Sequence, residues 1–268
     1  MFGTIIFGDN MKINNIKKQA NGQYNITFDN NEKILTYDDV ILNNNLLYKN
    51  EINYDVLKKI MKETSYYDVY NKAINYIANR IRSKQEIETF INKFNLTKGE
   101  SDTIINNLTK IGFINDQLFA KAYLNDKLKF TNMGPNKIAN DLENLGVGAS
   151  DIQLALDELD YSLVTDKLHK IINKKINKNI KYSKSLLKQK TLLELNNNGF
   201  NSDDIVSTYD ELCKNTNDIL ANQYEKVYAT LSKKYSDFEL NNKIKQKLAQ
   251  KGFSFQEIID YIATKNNT

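Results

Sequence analysis

The chain has 268 residues, 41% of them hydrophobic, enough to bury a sizeable core either as one large domain or as several modules. One cysteine (Cys213) and one histidine (His169) exclude a Cys/His zinc site and a disulfide framework. A net charge of +4, from 37 basic and 33 acidic side chains, excludes a uniform polycation, so local clustering of charge matters more than the total.

Of the basic residues only Arg80 and Arg82 are arginines, and asparagine occurs 39 times, a bias of the kind an AT-rich genome imposes, so little weight falls on any single Lys or Asn. A lone cysteine fits a reducing compartment. No apolar run approaches the roughly 20 residues that span a bilayer, and the first residues lack the basic flank of a secretory signal, so the expected location is the cytoplasm, with no membrane contact. Met11 precedes a more convincing strand than Met1 does, which leaves residues 1–10 as a start-site extension or a short extra strand.

From Met11 to Thr36 the chain reads as a two- or three-stranded meander. Lys12–Lys18, Tyr24–Phe28 and Lys33–Thr36 are the strands, with Asn21-Gly22 and Asp29-Asn30-Asn31 as turns. Asp38-Asp39 opens a short helix to Asn43, and Leu46-Leu47-Tyr48 is expected to run extended. Beyond Asn53 the apolar period changes from two to about 3.6 and stays there to the end. Tyr54, Leu57, Ile60 and Met61 begin one stripe, and Tyr66, Tyr70, Ala73, Ile74 and Ile77 continue it, with Thr64 or Ser65 available to cap a new turn.

Helix ends recur in one form: Gly112-Phe113, Gly146-Val147, Gly199-Phe200 and Gly252-Phe253, a glycine followed by an apolar residue. Glycine tolerates the left-handed position after a helix, its neighbour tucks back against that helix, and Ser or Asp caps the next. The last three of these glycines are 53 residues apart. The expected repeats are helices over 67–80, 84–94 and 101–111; 116–129, 135–145 and 150–158; 161–179, 183–198 and 202–213; and 216–234, 237–251 and 254–263. Units this small bury little core alone and are expected to stack. The fold class is therefore mainly α: tandem three-helix repeats in an elongated curved array, with a small N-terminal β-containing head. The expected modules are a head, 1–52; a linking helix and first repeat, 53–111; and further repeats at 112–158, 159–213 and 214–268. A compact helical bundle with chance similarity among its caps is the alternative.

The stretch Ala73–Ile87, with Ala73, Tyr76, Arg80, Arg82, Ser83 and Glu86 at matching spacing, resembles the signature of the bacterial RecX family. Gly112-Phe113-Ile114-Asn115-Asp116 with Phe119-Ala120 is similar to the family's next segment, with Asn115 where Asp is usual, and Gly134-Pro135, Ile138, Leu142 and Gly146-Val147 to the one after. Residues 70–156 carry these motifs. The resemblance implies a cytoplasmic, non-catalytic regulator that binds the RecA recombinase, often in the groove of its filament on DNA. It implies inhibition of ATP hydrolysis, strand exchange and stimulated repressor cleavage, by groove occupation or promotion of disassembly. A sequence-independent DNA-binding module and a helical protein-interaction scaffold are the alternatives.

Two groups of residues are candidates for partner contact. Arg80 and Arg82 precede a Ser83-x-x-Glu86 capping box, where they can fix the turn or reach toward an acidic or phosphate-bearing partner. Lys167–Lys190 holds nine lysines and no acidic residue. Lys167, Lys170, Lys174, Lys178 and Lys181 step by three or four and are expected to line one helical face, opposite Leu168, Ile171, Ile172 and Ile176. That stripe can meet acidic recombinase surface, single- or double-stranded DNA, or both; a merely solvated face in a lysine-rich chain is the alternative. His169 reads as a surface residue, Cys213 as buried near a helix end, and the paired carboxylates as caps. No phosphate-cradling Gly-rich loop and no catalytic constellation is present, so no enzyme, cofactor or metal is expected, and the chain is expected to be monomeric.

Overall fold

The computed structural model of the chain describes residues 10–213 and 219–266. These fall into two compact units, Met1–Phe119 and Ala120–Thr268.

In the first unit, alternating side chains over β1 (Met11–Lys18), β2 (Tyr24–Phe28) and β3 (Lys33–Thr36) give the expected meander. A fourth strand, β4 (Glu51–Ile52), extends the antiparallel sheet to the order β3-β2-β1-β4 by pairing Met11 with Ile52 and Lys12 with Glu51. Residues 1–9, the suggested extension, lie outside the described residues. The one apolar face of the sheet, with Ile26, Phe28 and Ile34, buries against α1 (Asp38–Asn43) and the start of α2 (Tyr54–Ala78), whose Leu57 and Ile60 are in the same core.

Two local expectations fail here for physical reasons. Leu46–Tyr48 is a 3-10 turn rather than an extended segment, because Asn45 adopts a left-handed φ of 51° and turns Leu46 into the core. No new helix begins at Thr64 or Ser65. Asn53 caps α2 through the Val56 N–H at 3.0 Å, and the helix runs unbroken for 25 residues, with the Thr64 hydroxyl 2.7 Å from that of Thr36. The rest of α2 packs with α3 (Lys84–Ile91) and α4 (Lys98–Lys110) around Val69, Ala73, Ile87, Ile104 and Leu108.

The second unit holds most of α5 (Asp116–Phe130), from Ala120 on, then α6 (Pro135–Asn144) and α7 (Ala149–Asp157); α8 (Ser162–Lys178), α9 (Lys184–Asn197) and α10 (Ser202–Leu212); and α11 (Ile219–Leu231), α12 (Asp237–Gln250) and α13 (Phe255–Asn266). The expected start of α11 at 216 lies outside the described residues. Each recurrent glycine has the predicted left-handed backbone, with φ of 80° at Gly112, 78° at Gly146, 85° at Gly199 and 84° at Gly252. The residue after each donates its N–H back to the helix just left: Phe113 to Leu108, Val147 to Leu142, Phe200 to Leu195 and Phe253 to Leu248. The following caps are Asn115, Asn201 and Ser254, so Asn stands at two of the three places where Ser or Asp is expected.

Successive repeats in this unit are joined in one way. The N–H of Gly134, before α6, donates to Asn198 O at 2.7 Å, and that of Asn136 to Gly199 O at 3.1 Å. One repeat on, the Ser183 N–H donates to Lys251 O at 2.9 Å and its hydroxyl to Gly252 O at 2.6 Å. The start of the second helix of one repeat thus satisfies its orphan donors on the glycine turn of the next, using carbonyls the turn leaves free. Among the described residues, no helix is long and apolar enough to cross a membrane.

Candidate partner-binding surface

The arginine pair lies in the short segment between α2 and α3, where Glu86 gathers both side chains. Its carboxylate accepts the Ser83 N–H at 3.1 Å while Ser83 Oγ accepts the Glu86 N–H at 3.2 Å, which completes the expected capping box. Arg80 Nη2 approaches Glu86 Oε1 at 2.5 Å and Arg82 Nη1 approaches it at 3.7 Å. Beyond this shared carboxylate the two diverge. Arg82 lays its guanidinium 3.4 Å from the centre of the Tyr76 ring and donates from Nε to Tyr76 O at 2.9 Å, leaving its side chain 12% exposed. The other face of Tyr76 has Phe90 stacked on it, 4.2 Å between centroids. Arg80 stays half in solvent, with a bond to Ile81 O. Asp116 completes the arrangement by accepting the Lys84 N–H at 2.7 Å. Arg82, Ser83, Glu86 and Asp116 therefore act on one helix start, and Arg80 is the member with donors to spare.

The lysines of α8 divide in the same manner. Val164, Leu168, Ile172 and Ile176 bury one side of the helix in steps of four, and Lys170, Lys174 and Lys178 follow the opposite, exposed side in the same steps. None of these three makes an ion pair among the described residues, whereas neighbouring Lys175 binds Glu194 at 2.5 Å and Lys188 binds Asp210 at 2.7 Å. Lys167, at the border of the buried side, is half-buried and donates from Nζ to Leu128 O and Thr131 O at the end of α5. Burial holds its ammonium below the usual lysine range. Lys181 lies beyond the end of α8, so it is off the helical face expected of it. It lines instead a depression with Lys226, Lys247 and Lys251, three residues between 45 and 70 positions away whose association no local spacing could reveal. His169 is half-buried beside Glu211 at 3.6 Å, and Cys213 is half-buried at the end of α10.

Comparison with known proteins places this arrangement. The family model for the second three-helix domain of RecX matches residues 115–156, which contain α5, α6 and all but the last residue of α7. That for its third three-helix domain matches 217–262, which contain α12 and all the described part of α11. Regulatory protein RecX of Streptococcus pneumoniae strain ATCC 700669 / Spain 23F-1 is 26% identical over 253 residues, 92% of this chain and 97% of its own length, and that of strain ATCC BAA-255 / R6 matches to the same extent. The chain belongs to the RecX family. A crystal structure of regulatory protein RecX shares the fold, with a TM-score of 0.64 at 21% identity, over 76% of this chain and all of that one. The RecX structure from Lactobacillus salivarius aligns at 25% identity and a TM-score of 0.53, over 55% of this chain and 96% of that one. The repeat α8–α10, which carries the lysine row, lies between the two segments that match RecX domain models. No group of three or more His, Cys, Asp or Glu side chains that could hold a metal occurs among the described residues.

Proposed function

We propose that this protein binds the RecA recombinase, as free subunits or as the filament on DNA, and inhibits recombinase activities by occupying the filament groove or promoting disassembly. Family membership, with relatives matched over nearly the whole chain, carries this reading. Two features support it. The joint repeated at Gly199 and Gly252 fixes neighbouring three-helix repeats against one another, which suits a partner built of repeated subunits. The unpaired row Lys170, Lys174 and Lys178 supplies long-range attraction to an acidic protein surface or to phosphate. Steric occupation needs no catalytic group. In this reading the working modules are the head, 1–52, and the repeats 53–111, 112–158, 159–213 and 214–268, with Arg80 as a contact residue of the first repeat.

The test is to titrate the protein into RecA on single-stranded DNA while following ATP hydrolysis and DNA retention together. Loss of hydrolysis with DNA retained indicates groove occupation, and loss of both indicates disassembly. Undiminished hydrolysis at saturating protein rejects the proposal. The lysine row also favours a second reading, direct sequence-independent binding of DNA, for which tight saturable binding to bare single-stranded DNA without recombinase is the required outcome.

A further inference from the structure

The depression that Lys181 enters lies at the junction of the α8–α9 turn with α11 and α12, all within the second unit. Its volume is about 500 Å³, in the range of small-molecule sites. Lys181, Lys226, Lys247 and Lys251 stand around it, Ile180, Val227 and Leu231 supply apolar wall, and none of its described lining residues is acidic. None of the four lysines makes an ion pair among the described residues, whereas Lys121, Lys175, Lys188 and Lys265 of the same unit each bind a carboxylate.

One of the four is held in place. Gln223 is 2% exposed; its amide donates to Ile180 O, and its carbonyl accepts Lys251 Nζ at 2.5 Å. A buried amide thus spends both its ends tying the α8–α9 turn to α11 and aiming one ammonium. Burial first, and then the charges of Lys226, Lys181 and Lys247, hold the Lys251 ammonium below the usual lysine range, so the site is short of negative charge. A single carboxylate would leave most of that repulsion in place, whereas a phosphate ester or polyphosphate carries two or more charges and several acceptor oxygens. The apolar wall has no use for a bare oxyanion but matches a flat hydrophobic body attached to one.

We propose that this pocket binds a nucleotide, its phosphates among Lys181, Lys226, Lys247 and Lys251 and its base against Ile180, Val227 and Leu231. The ligand is either a free nucleoside polyphosphate or a nucleotide unit of a single strand. Neither source depends on RecA being the partner.

Binding of ATP, inorganic tripolyphosphate and a short oligothymidylate to the full-length protein is measured by calorimetry, with the charge-reversal variants Lys226→Glu/Lys247→Glu and, as a control with the same change of net charge, Lys49→Glu/Lys58→Glu in the first unit. All four positions are exposed, so each variant is expected to fold, which circular dichroism checks. The expected result is saturable ATP binding that weakens at least about tenfold in the pocket variant and less than about threefold in the control, as loss of two charge-assisted contacts requires. Displacement of ATP by oligothymidylate at lower concentration than unlabelled ATP assigns the site to a strand, and failure to displace assigns it to the free nucleotide. Equal losses in both variants, or no saturable binding of ATP or oligothymidylate, overturns the site. Equal affinity for tripolyphosphate and ATP overturns the role of the apolar wall.

Discussion

Gly134 and Gly199 meet backbone to backbone. A methyl group on Gly134 would lie 2.5 Å from the carbonyl of Gly199, and one on Gly199 would lie 2.3 Å from the amide nitrogen of Lys137. Gly199 also needs a φ of 85°, so two separate demands fall on one residue, and Gly112 separates them because it shares the conformation with open space around it. Gly112→Ala is expected to cost about 1–2 kcal/mol from backbone strain alone. Gly199→Ala adds the cost of forcing two repeats apart, about 1–3 kcal/mol more. Urea unfolding of the two variants side by side checks this, and equal midpoints would refute the close contact.

Ser183 performs in the next joint what Gly134 does by backbone alone, and adds a side chain. Its hydroxyl donates to Gly252 O and accepts the Leu186 N–H at 3.1 Å, and the residue is buried. Ser183→Ala leaves a helix-start donor and a carbonyl without partners where water has little access. A loss of about 1–3 kcal/mol is expected. Hydrogen exchange should show faster opening of α9 and of the Gly252 turn together, since one hydroxyl serves both.

Much of this was legible in the residues because local rules govern it. The four Gly-apolar pairs announced their left-handed caps, and Ser83 with Glu86 announced its box, since each needs only its own few neighbours. The joints were not legible: that Gly134 rests on Gly199 is a contact between positions 65 apart, and nothing in a glycine says what approaches it. The placement of the lysines was legible only in part, for the same reason. Periodicity placed Lys170, Lys174 and Lys178 on the outer face, but could not foresee that the end of α5 would capture Lys167, or that α8 would stop before Lys181 and leave it beside Lys226 and Lys247.

The two arginines, equivalent by spacing, should separate by experiment. Arg82→Lys gives up the stack on Tyr76 and the Nε bond to its carbonyl, which a lysine cannot reproduce together, and is expected to cost about 1–2 kcal/mol of stability. Arg80→Ala removes a half-exposed ion pair and should change stability by less than about 1 kcal/mol. If Arg80 contacts the recombinase, its alanine variant inhibits ATP hydrolysis less while unfolding at the wild-type midpoint. Full inhibition by that variant assigns both arginines to the turn.

Salt discriminates a working lysine row from a decorative one. Lys170→Glu/Lys174→Glu/Lys178→Glu reverses three exposed, unpaired charges without touching the buried side of α8. Binding to the RecA filament should weaken by roughly tenfold or more at low ionic strength and by only about twofold near 0.5 M salt, where the screening length falls to a few ångströms. Lys167→Ala should behave differently, lowering stability because it uncaps the end of α5. The same loss of binding at both salt concentrations would point to misfolding.

Tyrosine ionisation should set the alkaline limit of the fold. Tyr161 donates its hydroxyl to the Asp204 carboxylate; burial, then that bond and the negative charge of Asp204, push its pKa up to about 12 from the ordinary 10.0. Tyr209, buried with its hydroxyl on Lys184 O, is pushed up as well, by burial and then by Cys213. Between these limits the folded chain keeps protons that the unfolded chain has released, so the unfolded state binds fewer and stability falls as pH rises. The contribution is whole below about pH 10 and is lost as pH climbs toward about 12. For Tyr161, which is 49% exposed, solvent screening keeps the slope shallow. Urea midpoints at intervals from about pH 9 to 12, read with tyrosinate absorbance, should therefore decline less steeply in Tyr161→Phe than in the wild type, while the two proteins differ by a constant amount below pH 10. Parallel curves throughout would mean that the Tyr161–Asp204 bond does not persist in solution.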